Sequence, residues 1–85
     1  MWKVSITKKA VKELKGLPGQ VILIYQALVE DLEEMGPFPF GWKAKPLKGS
    51  EEISIRLNRE YRVLLIVVDP DLIVIKIAHR KEVYE

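Results

Sequence analysis

The chain has 85 residues, with 14 Lys and Arg against 12 Asp and Glu, a net charge of +2, and no cysteine. This length fits a single domain over residues 1–85, and the lack of cysteine excludes disulfides and thiolate metal sites. The one histidine, His79, has no carboxylate partners at ligand spacing, so we expect neither a metal nor a cofactor.

The apolar runs at residues 21–25 and 63–68 are much shorter than the roughly 20 residues that span a bilayer. No apolar core of a signal peptide follows Lys3. A cysteine-free chain also fits a reducing compartment. We therefore expect a cytoplasmic protein with no membrane partner.

The N-terminal half predicts a strand followed by two helices. Residues 2–6 alternate apolar and polar side chains, as a half-buried strand does. Thr7 is a favourable N-cap for a helix over residues 8–15. A second helix is predicted over about residues 18–35, where apolar residues recur at helical spacing, and Gly36 ends it. Because almost nothing separates the two helices, we expect a helical hairpin.

Residues 36–42 read Gly-Pro-Phe-Pro-Phe-Gly-Trp and predict a loop, because glycine and proline both oppose regular structure. We expect the rings of Phe38, Phe40 and Trp42 to pack against the core. Base stacking on exposed rings is the alternative.

The C-terminal half predicts three strands, over about residues 52–57, 61–68 and 72–78, with turns at residues 58–59 and 69–71. The middle strand is apolar on both faces, which favours a central position in the sheet. The short turns indicate an antiparallel meander. The order is then β-α-α-β-β-β, an α+β fold with the helical hairpin packed on one face of a small, mainly antiparallel sheet.

Basic side chains gather on this predicted sheet. Alternation places Ser54 and Arg56 on the face away from the helices, and Arg62 begins the next strand. Lys45 and Lys48 come just before the first strand of the meander. This distribution suits a polyanion site on one side of the molecule. A solvated surface of mixed charge is the simpler alternative.

The segment after the last strand carries His79, Arg80, Lys81 and Tyr84. These groups suit RNA cleavage by attack of the 2′-OH on the adjacent phosphate, because arginine can contact two phosphate oxygens at once. His79 or Tyr84 offers proton transfer. Plainer alternatives stay open: solvated arginines or arginines paired with nearby glutamates, a histidine bonded to backbone, and a tyrosine packed on the core.

Along nearly its whole length the chain resembles toxins of the RelE type, within the RelE/ParE superfamily. The N-terminal part is similar in having a short strand, a lysine-rich helix and a Leu-Pro step into a second helix. The C-terminal motifs that carry the resemblance are Lys45-Pro46-Leu47-Lys48-Gly49, Ser54-Ile55-Arg56-Leu57, Glu60-Tyr61-Arg62-Val63-Leu64, Ala78-His79-Arg80 and Glu82-Val83-Tyr84.

The resemblance implies a ribosome-dependent mRNA endonuclease of a type II toxin–antitoxin system, which inhibits translation and is neutralised by a cognate antitoxin protein. Its partners would be that antitoxin and mRNA on the ribosome, with no small-molecule cofactor. By position in the family pattern, the residues implied to be catalytic are Arg62, Arg80, Tyr84 and His79, and those implied to bind RNA are Lys45, Lys48 and Arg56.

Two positions depart from the family pattern. Ser54 stands where some relatives carry a lysine, and Lys45 stands where others carry a glutamate base. The general base is therefore unassigned. Two further functions stay open: that of the ParE branch, which shares the fold but inhibits DNA gyrase, and that of a degenerate member that only binds antitoxin or nucleic acid.

Overall fold

A computed structural model describes residues 1–83. The elements in chain order are β1 (Lys3–Ile6), α1 (Lys8–Lys15), α2 (Gly19–Met35), β2 (Ala44–Pro46), β3 (Ile53–Arg56), β4 (Tyr61–Val68), β5 (Asp71–His79) and a 3₁₀ turn (Arg80–Glu82). The predicted α+β arrangement of a helical hairpin on a mainly antiparallel sheet is confirmed. The short strand β2 is an addition that the sequence did not predict.

The five strands form one sheet in the order β1-β5-β4-β3-β2. β1 pairs with β5 in parallel, and the other three pairs are antiparallel. β3, β4 and β5 are internal. The first half of β4 is apolar on both faces because Val63 and Leu65 pack in the core under the helices and Leu64 packs on the opposite face. Val67 and Val68, at the end of the strand, are exposed. β1 and β2 form the two edges.

The helical hairpin covers one face of the sheet. α1 begins at the N-cap Thr7, whose Oγ1 accepts from the backbone N–H of Ala10 at 3.2 Å. α2 turns its buried stripe to the sheet, where burying each large apolar side chain contributes roughly 1.5–3 kcal/mol. The buried residues of this core are Ala10, Val21, Tyr25, Leu28, Leu32, Ile53, Ile55, Leu57, Val63, Leu65, Leu72, Val74 and Ile77. Within residues 1–83, neither helix combines the length and the apolar character that crossing a bilayer demands.

The side of β5 that faces away from β4 changes its hydrogen-bonding partner halfway along the strand. β1 pairs with it as far as Val74, and the N–H of Thr7 then donates to the Val74 oxygen at 3.0 Å. Beyond that point α1 takes over, and Glu13 Oε1 accepts from the N–H of Ile77 at 2.9 Å. A helix side chain thus satisfies a strand donor that would otherwise lack a partner at a partly buried edge.

The other face of the sheet has a smaller apolar cluster of its own. Leu64, Ala78 and Val83 are buried there, with Leu47 and Ile75 packed against them. The β4–β5 register shifts between Leu64 and Leu65, which leaves Ile75 as an extra residue on β5. Such a bulge changes which side chains a strand presents to each face. The face away from the helices is consequently partly apolar rather than wholly solvated.

The loop before β2 departs from expectation. Phe38 is 55% exposed and Phe40 is 89% exposed, so the prediction that these rings pack on the core is wrong. Pro39 between them is the buried residue, and its two neighbours therefore point outward. Trp42 does pack against the core, and its Nε1–H donates to Asp31 Oδ2 at 2.8 Å.

Candidate functional site

Two arginines face each other across neighbouring strands on the side away from the helices. Arg56 on β3 is the direct cross-strand partner of Arg62 on β4. The residues beside them in sequence, Ile55 and Val63, point into the core under the helices. Ser54 shares the face of the arginines, as period-2 alternation predicted. Like charges placed directly opposite each other repel, which is unfavourable on its own.

The guanidinium of Arg62 is anchored to the turn that precedes its strand. Its Nη1 donates to the backbone oxygens of Asn58 at 2.9 Å, Arg59 at 3.3 Å and Tyr61 at 3.1 Å. Asn58 Oδ1 in turn accepts from the N–H groups of Glu60 and Tyr61 at 2.9 and 2.8 Å. The turn and the arginine therefore hold each other in place.

Arg62 is only 4% exposed. The side chain is therefore buried, although the basic residues of the predicted sheet suggested a solvated or polyanion-binding surface. Its partner on β5 is the small, buried Ala78, and the apolar cluster of the second sheet face lies next to it. Alternation placed Arg56 on this face but gave no sign that the face also has a core.

A cleft of about 230 Å³ lies beside the arginine pair, and we call it the Arg56 cleft. Its lining residues are Lys43, Ala44, Lys45, Arg56 and Arg62. β2 brings the two lysines here, because Lys45 pairs with Ser54 and the N–H of Arg56 donates to the Lys43 oxygen at 3.3 Å. Within residues 1–83, four cations and no carboxylate line this space, a distribution of charge that favours an anion such as phosphate.

Lys48 lies apart from this cleft. It sits in the turn between β2 and β3, at the opposite end of β3 from Arg56, and it is exposed. Of the three predicted RNA-binding residues, the structure therefore brings Lys45 and Arg56 together and leaves Lys48 at the hairpin tip.

His79 belongs to the other side of the sheet. Since Ala78 pairs with Arg62, the next residue points away from Arg62, and His79 pairs with Tyr61 instead. The two rings meet edge to face, with centroids 5.7 Å apart. His79 Nδ1 accepts from the N–H of Lys81 at 3.2 Å, and its Nε2 lies 4.0 Å from Glu60 Oε2.

Arg80 opens the 3₁₀ turn at the end of β5 and is exposed. Its backbone N–H donates to the Glu60 oxygen at 2.6 Å, which holds this turn against the β3–β4 turn that anchors Arg62. Tyr84, the remaining predicted catalytic residue, lies outside the described residues. Among residues 1–83, no three side chains of His, Cys, Asp or Glu come together in a way that could hold a metal ion.

Sequence reasoning missed Lys43. Lys43 and Lys45 are two residues apart, so they share a face wherever the chain is extended. That signal depends on recognising β2, and a three-residue strand ending in proline does not resemble one. Proline is tolerated there because β2 is an edge strand with one unpaired side.

The chain is similar to known toxins in sequence and in structure, although no family model matches it. Over 88 residues it is 34% identical to the "Putative toxin RelE1" of Methanocaldococcus jannaschii, covering 99% of this chain and 96% of that protein.

Solved structures show the same fold. A chain of the RelB–RelE antitoxin–toxin complex from Methanococcus jannaschii has a TM-score of 0.79 at 25% identity, with 89% of each chain covered. A chain of the archaeal RelE–RelB complex from Pyrococcus horikoshii OT3 has a TM-score of 0.81 at 24% identity, covering 96% of this chain and 98% of that one.

Proposed function

The chain belongs to the RelE family of toxins, and on that premise we propose that it is the toxin of a type II toxin–antitoxin system that cleaves mRNA on the ribosome without a metal ion. The observation that carries the proposal is the arginine pair, Arg56 and Arg62, lining one cleft with Lys45. A cleft that several cations line, with no carboxylate among the lining residues that the structure describes, suits the phosphate backbone of RNA.

In the proposed reaction the 2′-oxygen of one nucleotide attacks the adjacent phosphorus, and the bond from phosphorus to the 5′-oxygen breaks. The products are a 2′,3′-cyclic phosphate and a free 5′-OH. The 2′-OH loses its proton to a base, and the leaving oxygen gains one from an acid. Negative charge grows on the non-bridging oxygens of the phosphate, where guanidinium groups stabilise it.

Arg62 and Arg80 are the proposed transition-state contacts. Anchoring by three carbonyls fixes Arg62 before substrate arrives, so little reorganisation is needed during reaction. Arg80 extends from a turn tied to the same loop through Glu60. Arg56 and Lys45 bind the phosphate in its ground state. Lys48, at the hairpin tip, binds the RNA further along.

His79 and Tyr84 are the proposed proton-handling residues. Because His79 Nδ1 accepts from the Lys81 N–H, the neutral ring carries its proton on Nε2. That tautomer suits a proton donor to the leaving oxygen rather than a base. Nε2 of this ring lies 4.0 Å from Oε2 of Glu60, which fixes the direction in which the ring points.

Primer extension on an mRNA tests the proposal, with purified protein added in the presence and absence of ribosomes. We expect cuts that depend on ribosomes and that fall at least tenfold in Arg56→Gln, since one phosphate donor is lost. Lys12→Gln, an exposed change on α1, is the matched control and should cut normally. Intact mRNA under both conditions would disprove the nuclease.

A second candidate is a member that binds its antitoxin or nucleic acid without cleaving. The observation in its favour is that His79 and Arg62 lie on opposite faces of the sheet. Ribosome-bound mRNA that is retained but never cut, by protein that still binds its antitoxin, would support this candidate.

The proposed antitoxin is an acidic protein that covers the basic face. Support comes from two solved relatives that are RelE–RelB complexes and from the cations of the Arg56 cleft. Charge-driven association weakens as salt rises. We expect the toxin–antitoxin dissociation constant to increase between low and high salt, measured by titration calorimetry. A constant that does not change would contradict the electrostatic account.

A further inference from the structure

A second cleft continues from the first, and we call it the Trp42 cleft. It has a volume of about 470 Å³ and shares Lys43 and Arg56 with the Arg56 cleft. Beyond those two residues its lining includes Trp42, Leu57 and Arg59. The two clefts are therefore neighbours that meet at Lys43 and Arg56, and the Trp42 cleft reaches Ile24 of α2 on the helix side of the sheet.

The Trp42 cleft combines an apolar wall with a cationic rim. Leu57 is buried and Trp42 half-buried in the main core, so both offer fixed apolar surface. Trp42 is held by its bond from Nε1 to Asp31 Oδ2 at 2.8 Å. Arg59 is exposed on the turn that anchors Arg62, and none of the described residues that line this space carries a carboxylate. A flat apolar ring beside cations is what one nucleotide, with its base and its phosphate, requires.

We propose that the Trp42 cleft holds the nucleotide next to the scissile phosphate, with its base against Trp42 and Leu57 and its phosphate on Arg59. This subsite rests on the proposed function, because it assumes that the Arg56 cleft holds the phosphate that is cut. Consecutive phosphates of one strand then lie on either side of Arg56. The cleft is thereby a determinant of which base is accepted beside the cut.

The test uses the full chain with Trp2→Phe, which leaves Trp42 as its single tryptophan. Trp2 packs against Gly36 and does not line either cleft. The probe is an RNA trinucleotide with a 2′-deoxy sugar at the central residue, which removes the attacking hydroxyl at that position. Titration at low salt should change the fluorescence of Trp42 as the base comes into contact with the ring.

One variant and one altered probe separate the contribution of the Arg59 charge from that of the base. Arg59→Gln should weaken trinucleotide binding about tenfold, as expected for a lost charged hydrogen bond. It should also reduce the slope of log affinity against log salt by about one. Lys12→Gln on α1, which lines neither cleft, is the matched control and should bind as the parent does. A trinucleotide lacking one terminal base should still bind more weakly to Arg59→Gln than to the parent. It should no longer change the fluorescence of Trp42.

The outcomes distinguish this subsite from the function on which it rests. If Arg56→Gln weakens binding while Arg59→Gln does not and Trp42 fluorescence stays constant, the subsite is wrong and the proposed function stands. If base-free and complete probes change Trp42 fluorescence equally, base recognition in this cleft is wrong. If the parent protein binds no probe at low salt, the subsite is wrong, and the proposed function is decided by primer extension with ribosomes alone.

Discussion

The guanidinium Nη1 of Arg62 lies 2.9 Å from the backbone oxygen of Asn58, four residues earlier in the chain. This bond folds the side chain back over the β3–β4 turn. Arg62 therefore acts both as a cation lining the Arg56 cleft and as a brace for the turn that carries Arg59. Its substitution affects stability as well as any activity, and the two effects have to be measured separately.

Arg62→Ala is expected to lower the free energy of unfolding by about 2–4 kcal/mol, because it removes charged hydrogen bonds at a buried position. Arg62→Lys keeps the charge but loses the planar guanidinium with its several donors, so we expect the free energy of unfolding to fall by about 1 kcal/mol. Both should reduce single-turnover cleavage of ribosome-bound mRNA by roughly 100- to 1000-fold.

Denaturant unfolding of each Arg62 variant is the control, with cleavage measured where the variant is fully folded. Folded Arg62→Lys that cleaves at the parent rate would show that Arg62 is a structural brace and not a transition-state contact.

Substitution of Arg80 should affect cleavage without affecting stability, unlike substitution of Arg62. Its side chain is exposed, and the bond from its backbone to Glu60 survives substitution. Arg80→Ala should therefore unfold at the parent temperature and cleave roughly 100- to 1000-fold more slowly. Lys81→Ala, the next residue in the same 3₁₀ turn and also exposed, should cleave normally. Equal losses in the two variants would reduce Arg80 to one of several surface charges.

The elements that could be predicted from sequence are those whose pattern is local. Thr7 and Gly36 mark helix ends through side-chain and backbone properties of single residues. The strand over residues 61–68 was predicted with the bounds that β4 has, because a continuous apolar run between two turns allows little else. Alternation was likewise sufficient to place Ser54 and Arg56 on the face away from the helices.

The features that could not be predicted from the sequence depend on contacts between distant residues. β2 exists because residues 53–55 offer it a pairing edge, not because Ala-Lys-Pro favours a strand. The burial of Arg62 depends on the size of Ala78, its partner on another strand. The position of His79 follows from the same register, since Ala78 rather than His79 lies opposite Arg62. A single sequence contains no information on register before the strands are paired.

Glu13 is predicted to stabilise the fold through one bond to β5. Glu13→Ala leaves the N–H of Ile77 without its acceptor at a partly buried position, which should cost about 1–3 kcal/mol. Glu13→Gln keeps an acceptor oxygen and loses only the ion pair with Lys9, whose side chain is 67% exposed. We expect that change to cost about 0.5 kcal/mol or less. Denaturant unfolding measures both, and Lys9→Ala gives the ion-pair contribution alone.

Gly36 and Gly41 both have a φ of 89°. Gly36 also has a ψ of −164°, a combination that essentially only glycine adopts. A Cβ on Gly41 meets nothing within 4 Å, so Gly41→Ala should cost only the strain of about 1–2 kcal/mol. A Cβ on Gly36 would lie 2.8 Å from Nε1 of Trp2. Gly36→Ala should cost a further 1–3 kcal/mol or so, since the ring has to move and the backbone conformation of Gly36 disfavours other residues. Equal thermal unfolding of the two variants would contradict this additional cost.

Tyr25 predicts how stability responds to alkaline pH. Burial raises the pKa of its phenol above the usual value of 10.0, because the core disfavours the charged form. The folded state therefore holds this proton more tightly than the unfolded state does. The stabilisation is complete below pH 10 or so, and it is lost as pH rises above that value toward the raised pKa.

Tyr25→Phe removes this proton, so the difference in unfolding free energy between parent and variant should be constant up to about pH 9. At about pH 11 it should shift in favour of the phenylalanine variant. Urea unfolding at both pH values measures the shift, and comparing the two proteins cancels the titration of every other group. A difference that stays constant across the range would mean that the phenol of Tyr25 reaches water in the folded protein.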